Sequence, residues 1–155
     1  MPALLVTKKE LLACGANEFD FKNIATKVDI ENSTVQIVDI VDCLEALTLF
    51  NLIELKRGKA VLLQFFADCA QLDPPYIRTY AREPAEYHKM MKQIKDPQGR
   101  HGGAIESLAM VNIRRYQFEE QMIGMPNITE EHSEDIRRAL AKLSKLLTVV
   151  FVVPA

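Results

Sequence analysis

The side chains best suited to proton transfer, nucleophilic attack or metal binding are three histidines, His88, His101 and His132, and three cysteines, Cys14, Cys43 and Cys69. Imidazole supplies a base near neutral pH and thiolate a nucleophile, but each needs a partner held within hydrogen-bonding reach. No pair of these residues has the short spacing of a zinc ligand set. Glu86-Tyr87-His88 and Glu131-His132 put a carboxylate beside an imidazole, which a solvated helix face explains without catalysis. Gly102-Gly103, with Arg100 and His101 ahead of a helix, would offer free amides to an anion. No strand precedes that pair and no P-loop or dinucleotide spacing surrounds it, so a flexible loop is expected. The cysteines sit far apart in apolar contexts, as small buried hydrophobes do, and an odd, sparse count favours a reducing compartment. No catalytic residue, no metal ligand and no cofactor is therefore expected. The chain reads as a non-enzyme.

Charge narrows the partners. Of 155 residues 48% are hydrophobic and 26% charged, an ordinary globular balance with a net charge of -2. Residues 1–80 hold 8 Lys+Arg against 11 Asp+Glu, a balance of -3, and residues 81–155 hold 11 against 10, a balance of +1. Neither half makes a global electrostatic case for nucleic acid or an anionic membrane. The opening Met-Pro-Ala-Leu-Leu-Val run is too short for a signal peptide, and nothing approaches a membrane span. An intracellular protein of cytoplasm or nucleus is expected.

The elements that would position these side chains follow from periodicity and punctuation. A short helix from Ala3 to Cys14 should stop at Gly15, and a second is expected over Phe21 to Val28 with Asp20 as N-cap. A third, from Ser33 towards Asn51, carries the stripe Ile37, Ile40, Val41, Leu44 and Leu47, opposite Gln36, Asp39, Asp42 and Glu45. Leu52–Lys56 and Ala60–Phe65, flanking Arg57-Gly58-Lys59, then read as a β-hairpin. Three helices and a hairpin make a winged helix, the helix-turn-helix motif with a β appendage. Pro74-Pro75 and Pro84 bracket a linker, in which Tyr76–Tyr80 is either a short helix or an extended connector. Three helical stretches follow, at about 84–95, 103–123 and 129–147, with Thr129 and His132, or Ser133 and Glu134 a residue on, offering N-terminal capping chemistry. The five methionines Met90, Met91, Met110, Met122 and Met125 are read as fillers of core gaps.

Two of these stretches bear heptad-like seams: Leu108, Val111, Arg115, Phe118 and Met122, then Ile136, Leu140, Leu143, Leu147 and Val150. Both an intramolecular helical hairpin and pairing with a second chain fit them, and Arg115 within its seam calls for a carboxylate or an exposed edge. Thr148–Val153, rich in valine and containing Phe151, reads as a C-terminal strand. The expected fold is thus α+β and mostly helical. It has a winged-helix domain over 1–70, a linker over 71–83, and a helical dimerisation or interaction segment over 84–155 that ends in a strand.

The run Asp20-Phe-Lys-Asn-Ile-Ala-Thr-Lys-Val-Asp29, then Val35–Leu47 and Leu52–Lys56, resembles the E-two-F/DP family of cell-cycle transcription factors. Ile37, Asp39, Ile40, Leu44, Glu45, Leu52 and Ile53 fall on that family's recognition-helix and strand pattern, and the likeness spans about residues 20–65. The resemblance implies a winged helix, DNA binding in transcription regulation and a dimer. Asp135-Ile-Arg137 followed by Thr148–Pro154 is similar to the start of the same family's dimerisation module. The family's groove-facing arginines and tyrosine are replaced here by Val35, Gln36 and Val38. Residues 33–51 hold no Lys or Arg and three acids, so that helix would repel a phosphate backbone. Only Lys56, Arg57 and Lys59, with Lys22 and Lys27, remain as candidate DNA-backbone contacts.

The function expected is that of a winged-helix protein-protein interaction or assembly module with weakened or lost DNA reading. It would pair with itself or a protein partner through Leu108, Val111, Arg115, Phe118, Met122, Ile136, Leu140, Leu143, Leu147, Val150 and Phe151. The alternative is a DNA-binding transcriptional regulator that uses the wing and a partner subunit.

Overall fold

The structure, a computed structural model, describes residues 4–99 and 104–152. It is mostly helical, with a small two-stranded antiparallel sheet. The chain forms two compact units, residues 1–62 with 147–155, and residues 63–146. The divisions fall inside helices α4 (Lys59–Ala70) and α8 (Glu130–Phe151), and the span expected as a linker contains helix α5 (Pro74–Tyr80).

In the first unit, strand β1 (Leu5–Val6) pairs antiparallel with β2 (Val35–Gln36), placing Leu5 opposite Gln36 and Val6 opposite Val35. Helix α1 (Lys8–Ala13) is shorter than the helix expected from Ala3, which lies outside the described residues: Leu5 and Val6 are strand, the helix starts on a reciprocal cap between Thr7 and Glu10, and the chain turns at Cys14 and Gly15. Helix α2 (Glu18–Ala25) begins earlier than expected, because Asn17 and not Asp20 is the N-cap. Asp20 instead completes that cap and goes further. Its fully buried carboxylate accepts hydrogen bonds from the amides of Asn17 and Glu45 and from the Thr48 hydroxyl. One side chain thus holds the start of α2 against the start of helix α3 (Ala46–Arg57).

Three further expectations for this unit are corrected. The helix expected from Ser33 is absent: β2 leads into two single-turn 3-10 segments, Ile37–Asp39 and Val41–Cys43. Of the expected stripe, Ile37, Ile40, Val41 and Leu44 are buried and Leu47 is 49% exposed; i to i+3 spacing serves a 3-10 turn as well, and the β-branched run disfavours an α-helix. The hairpin is likewise helical, so the described residues 52–65 contain no wing. Leu49, Phe50, Leu52 and Ile53, then Leu62, Phe65, Phe66 and Cys69, are buried at helical spacing on α3 and α4. Gly58, with φ 89° and ψ 170°, ends α3 where a hairpin turn was expected. Finally, of the expected C-terminal strand Thr148–Val153, Thr148–Phe151 form the last turn of α8, with the Val152 amide donating to the Thr148 carbonyl, and Val153 lies outside the described residues. A helix satisfies its own backbone, whereas a lone strand needs a neighbour. The last carbonyls of α8 are capped within the unit: Val150 by the Arg57 guanidinium and Phe151 by the Leu4 amide.

In the second unit, the three helical stretches appear as α6 (Pro84–Lys95), α7 (Ala104–Glu120) and α8. Thr129 caps α8 by accepting from the His132 amide at 3.1 Å. Gln93 of α6 accepts from the Ile105 amide in the first turn of α7. Asn112 Nδ2 donates at 2.9 Å to the Cys69 carbonyl, an end-of-helix acceptor of α4. Among the described residues no helix is long and apolar enough to cross a membrane.

Candidate functional site

The seam expected on α7 is rotated from the face this helix buries. Ile105, Leu108, Ala109, Asn112, Ile113 and Tyr116 form the buried stripe. The line Leu108, Val111, Arg115, Phe118 and Met122 therefore runs from core to solvent: Leu108 is fully buried, Val111, Arg115 and Met122 are half-buried, and Phe118 is 65% exposed. On α8 the seam is occupied by this chain itself. Ile136, Leu143, Leu147, Val150 and Phe151 are buried and Leu140 is half-buried.

Arg115 finds its carboxylate within the unit. Its Nη2 lies 2.9 Å from Asp73 Oδ2 and donates at 2.9 Å to the Tyr116 hydroxyl, and its guanidinium carbon sits 4.8 Å from the Tyr116 ring centroid. Burial pushes the Tyr116 phenol up, opposed in part by the Arg115 charge beside it. Arg115 stays protonated, its burial outweighed by Tyr116 and Asp73. These three residues, with Glu119, His132 and Asp135, line an open cleft of about 460 Å³. Its charges are largely matched, since Arg138 pairs with Asp135 at 3.3 Å. Past the cleft, the turn between α7 and α8 leaves Met125 51% exposed, with Met122, Ile123 and Ile128 half-buried. Met125 is thus not the core filler that the sequence suggested; its place beside Gly124 and Pro126, in a turn, was the available signal. Asp73, read only as punctuation before the prolines, gave no signal of its pairing with Arg115.

The candidate DNA contacts in the first unit do not present a free basic face. Lys56 is paired with Glu10, Arg57 is spent on the Val150 carbonyl, and Lys27 lies 2.6 Å from Asp42, while Lys22 and Lys59 are exposed. Lys56 holds the Glu10 carboxyl below the usual carboxylate range, and Asp42 raises Lys27. Of the residues matched to the recognition helix, Ile37, Asp39, Ile40 and Leu44 lie in or beside the 3-10 turns and Glu45 is the N-cap of α3.

Groups suited to catalysis are dispersed. His88 is exposed with its ring edge-on to Tyr87, and His132 is exposed in the first turn of α8. Arg100, His101, Gly102 and Gly103 lie outside the described residues. Cys14 and Cys69 are buried and Cys43 is half-buried, and burial raises all three thiols, Cys69 most. Among the described residues no group of three or more His, Cys, Asp or Glu side chains is placed to hold a metal ion. Comparison with family models, with curated proteins and with solved structures gives no match, so the resemblance to the E-two-F/DP family gains no support there.

Proposed function

We propose that this protein is a non-enzymatic helical module that docks another protein at the turn joining α7 to α8. The observation that carries this reading is Phe118, a large aromatic left 65% exposed next in sequence to Glu119 of the cleft, with half-buried Met122 and exposed Met125 in the turn that follows. Arg115, Phe118 and Glu119 share one face of α7 by their three- and four-residue spacing. Exposed aromatic and methionine side chains are costly in water and are typical anchors of protein interfaces, where a partner removes them from solvent. Arg115, fixed by Asp73 and Tyr116, gives that surface a rigid polar edge.

Reading DNA through a wing is not carried forward, since the residues that would form it are helical and three of the five candidate cations are engaged within the chain. The test is site-specific photocrosslinking in the native cell, with the reactive group at position 118 and controls at the exposed positions Lys9 and Lys89. Docking here gives a protein adduct from 118 that both controls lack. An adduct pattern equal at all three positions, or none from 118, contradicts it.

A further inference from the structure

We infer that the occupant of this patch is a basic amphipathic helical segment of a different protein, an inference that rests on the docking surface just proposed. From Tyr116 to Ile136 the chain has six Asp or Glu residues and no Lys or Arg. The apolar residues are Phe118, Met122 and Met125; the acids lie at the end of α7 and the start of α8, flanking the Met122–Met125 turn in sequence. Arg137 engages Glu130 and Glu134, and Arg138 engages Asp135. Glu119, Glu120 and Glu131 make no ion pair among the described residues, so the rim keeps a negative charge.

An apolar patch inside an acidic rim complements a helix with one apolar and one cationic face. Methionine supports this occupant because its unbranched thioether adapts to differing apolar side chains. The same charge argues against other occupants. A second copy meeting this patch about a two-fold axis would set the acidic rim against itself, and nucleic acid or an anionic lipid surface would bring phosphate to carboxylate.

The experiment uses the full chain and a fluorescent peptide of about 18 residues, roughly five helical turns, with Leu on one face and Lys on the other. A peptide of the same composition in scrambled order and one with Glu for Lys serve as controls. Anisotropy titrations should show binding of the basic helical peptide that weakens with added salt, at least about tenfold weaker binding of the scrambled peptide, and none of the acidic one. Phe118→Ser and the pair Glu119→Lys with Glu120→Lys should each weaken binding at least about tenfold. Phe118 and Glu120 are exposed and Glu119 is half-buried, and circular dichroism checks the folding of both variants. Met125→Ser, in the turn, gives an independent loss if either fails to fold. Equal binding of the scrambled peptide, or no effect of Phe118→Ser, overturns the inference. So does a homodimer in light scattering that Phe118→Ser dissociates. A crosslinked partner whose contacting segment is not basic refutes this inference and leaves the docking surface standing, whereas absence of any adduct from 118 removes both.

Discussion

Replacing Asp20 by alanine should be the most damaging single change in the first unit. The carboxylate is fully buried and accepts from the Asn17 amide at 3.1 Å, the Glu45 amide at 3.0 Å and the Thr48 hydroxyl at 3.2 Å. Hydrogen bonds to a charged acceptor contribute about 1.5–3 kcal/mol each and are not additive, and a buried donor left without an acceptor costs about 1–3 kcal/mol. Asp20→Ala removes three acceptor contacts and strands two amides, so a loss of about 3–5 kcal/mol is expected, a large share of a typical domain's stability. Asp20→Asn keeps the oxygen facing Glu45 but turns an NH2 towards the Asn17 amide. The Thr48 hydroxyl can rotate to accept from it, so the loss should be nearer about 2 kcal/mol. Thr48→Val removes one contact and should cost about 1 kcal/mol. Urea denaturation followed at 222 nm reads the series, the alanine variant shifting the midpoint by about 2 M for an m-value of about 2 kcal/mol/M. An alanine variant within about 0.3 M of the wild type, or less destabilised than Thr48→Val, would refute the reasoning.

Three further outcomes follow from the same geometry. Gly58→Ala should destabilise by about 1–3 kcal/mol, because φ 89° and ψ 170° is a region open almost only to glycine, although no atom lies within 4 Å of the added carbon; calorimetry measures it. Glu10 has a depressed folded-state pKa, so the unfolded chain binds its proton first as pH falls. Its pairing with Lys56 therefore contributes above the ordinary value of 4.5 and is lost as pH drops through and below it. Glu10→Gln should accordingly cost about 0.5–1 kcal/mol at pH 7, discounted for the partial exposure of the pair, and almost nothing near pH 3; urea titrations at both pH values check this. In native protein at pH 8, half-buried Cys43 should react with a disulfide reagent ahead of buried Cys14 and Cys69, and Cys43→Ser should remove the first phase.

The second half of the fold was legible because punctuation and amphipathicity agree there: Pro84 opens α6, Thr129 caps α8, and Ile136, Leu143 and Leu147 recur at heptad spacing. In the first half most of the expected stripe is buried, Leu47 excepted, but not in the expected conformation. Ile37, Ile40, Val41 and Leu44 go inside as their pattern demands, yet that pattern is shared by α-helices and successive 3-10 turns. Short apolar runs either side of Gly58 fit strands or helices equally, and the burial of Leu49, Ile53 and Leu62, Phe65 and Phe66 decides for helices. The valines near the C-terminus have strand propensity, but they extend a helix already many turns long, for which each added residue gains a hydrogen bond without a new nucleus. For the candidate site, Phe118 and Arg115 could be named from the seam. Its rotation towards solvent, and the Asp73 carboxylate that answers Arg115, are tertiary facts with no local signal.

The most direct measurement of the docking surface is amide chemical-shift mapping of the full chain during titration with the basic amphipathic peptide. The account predicts saturable changes concentrated between residues 115 and 138 and quiet resonances over 35–57. Changes centred on residues 35–57, with 115–138 unmoved, would contradict it.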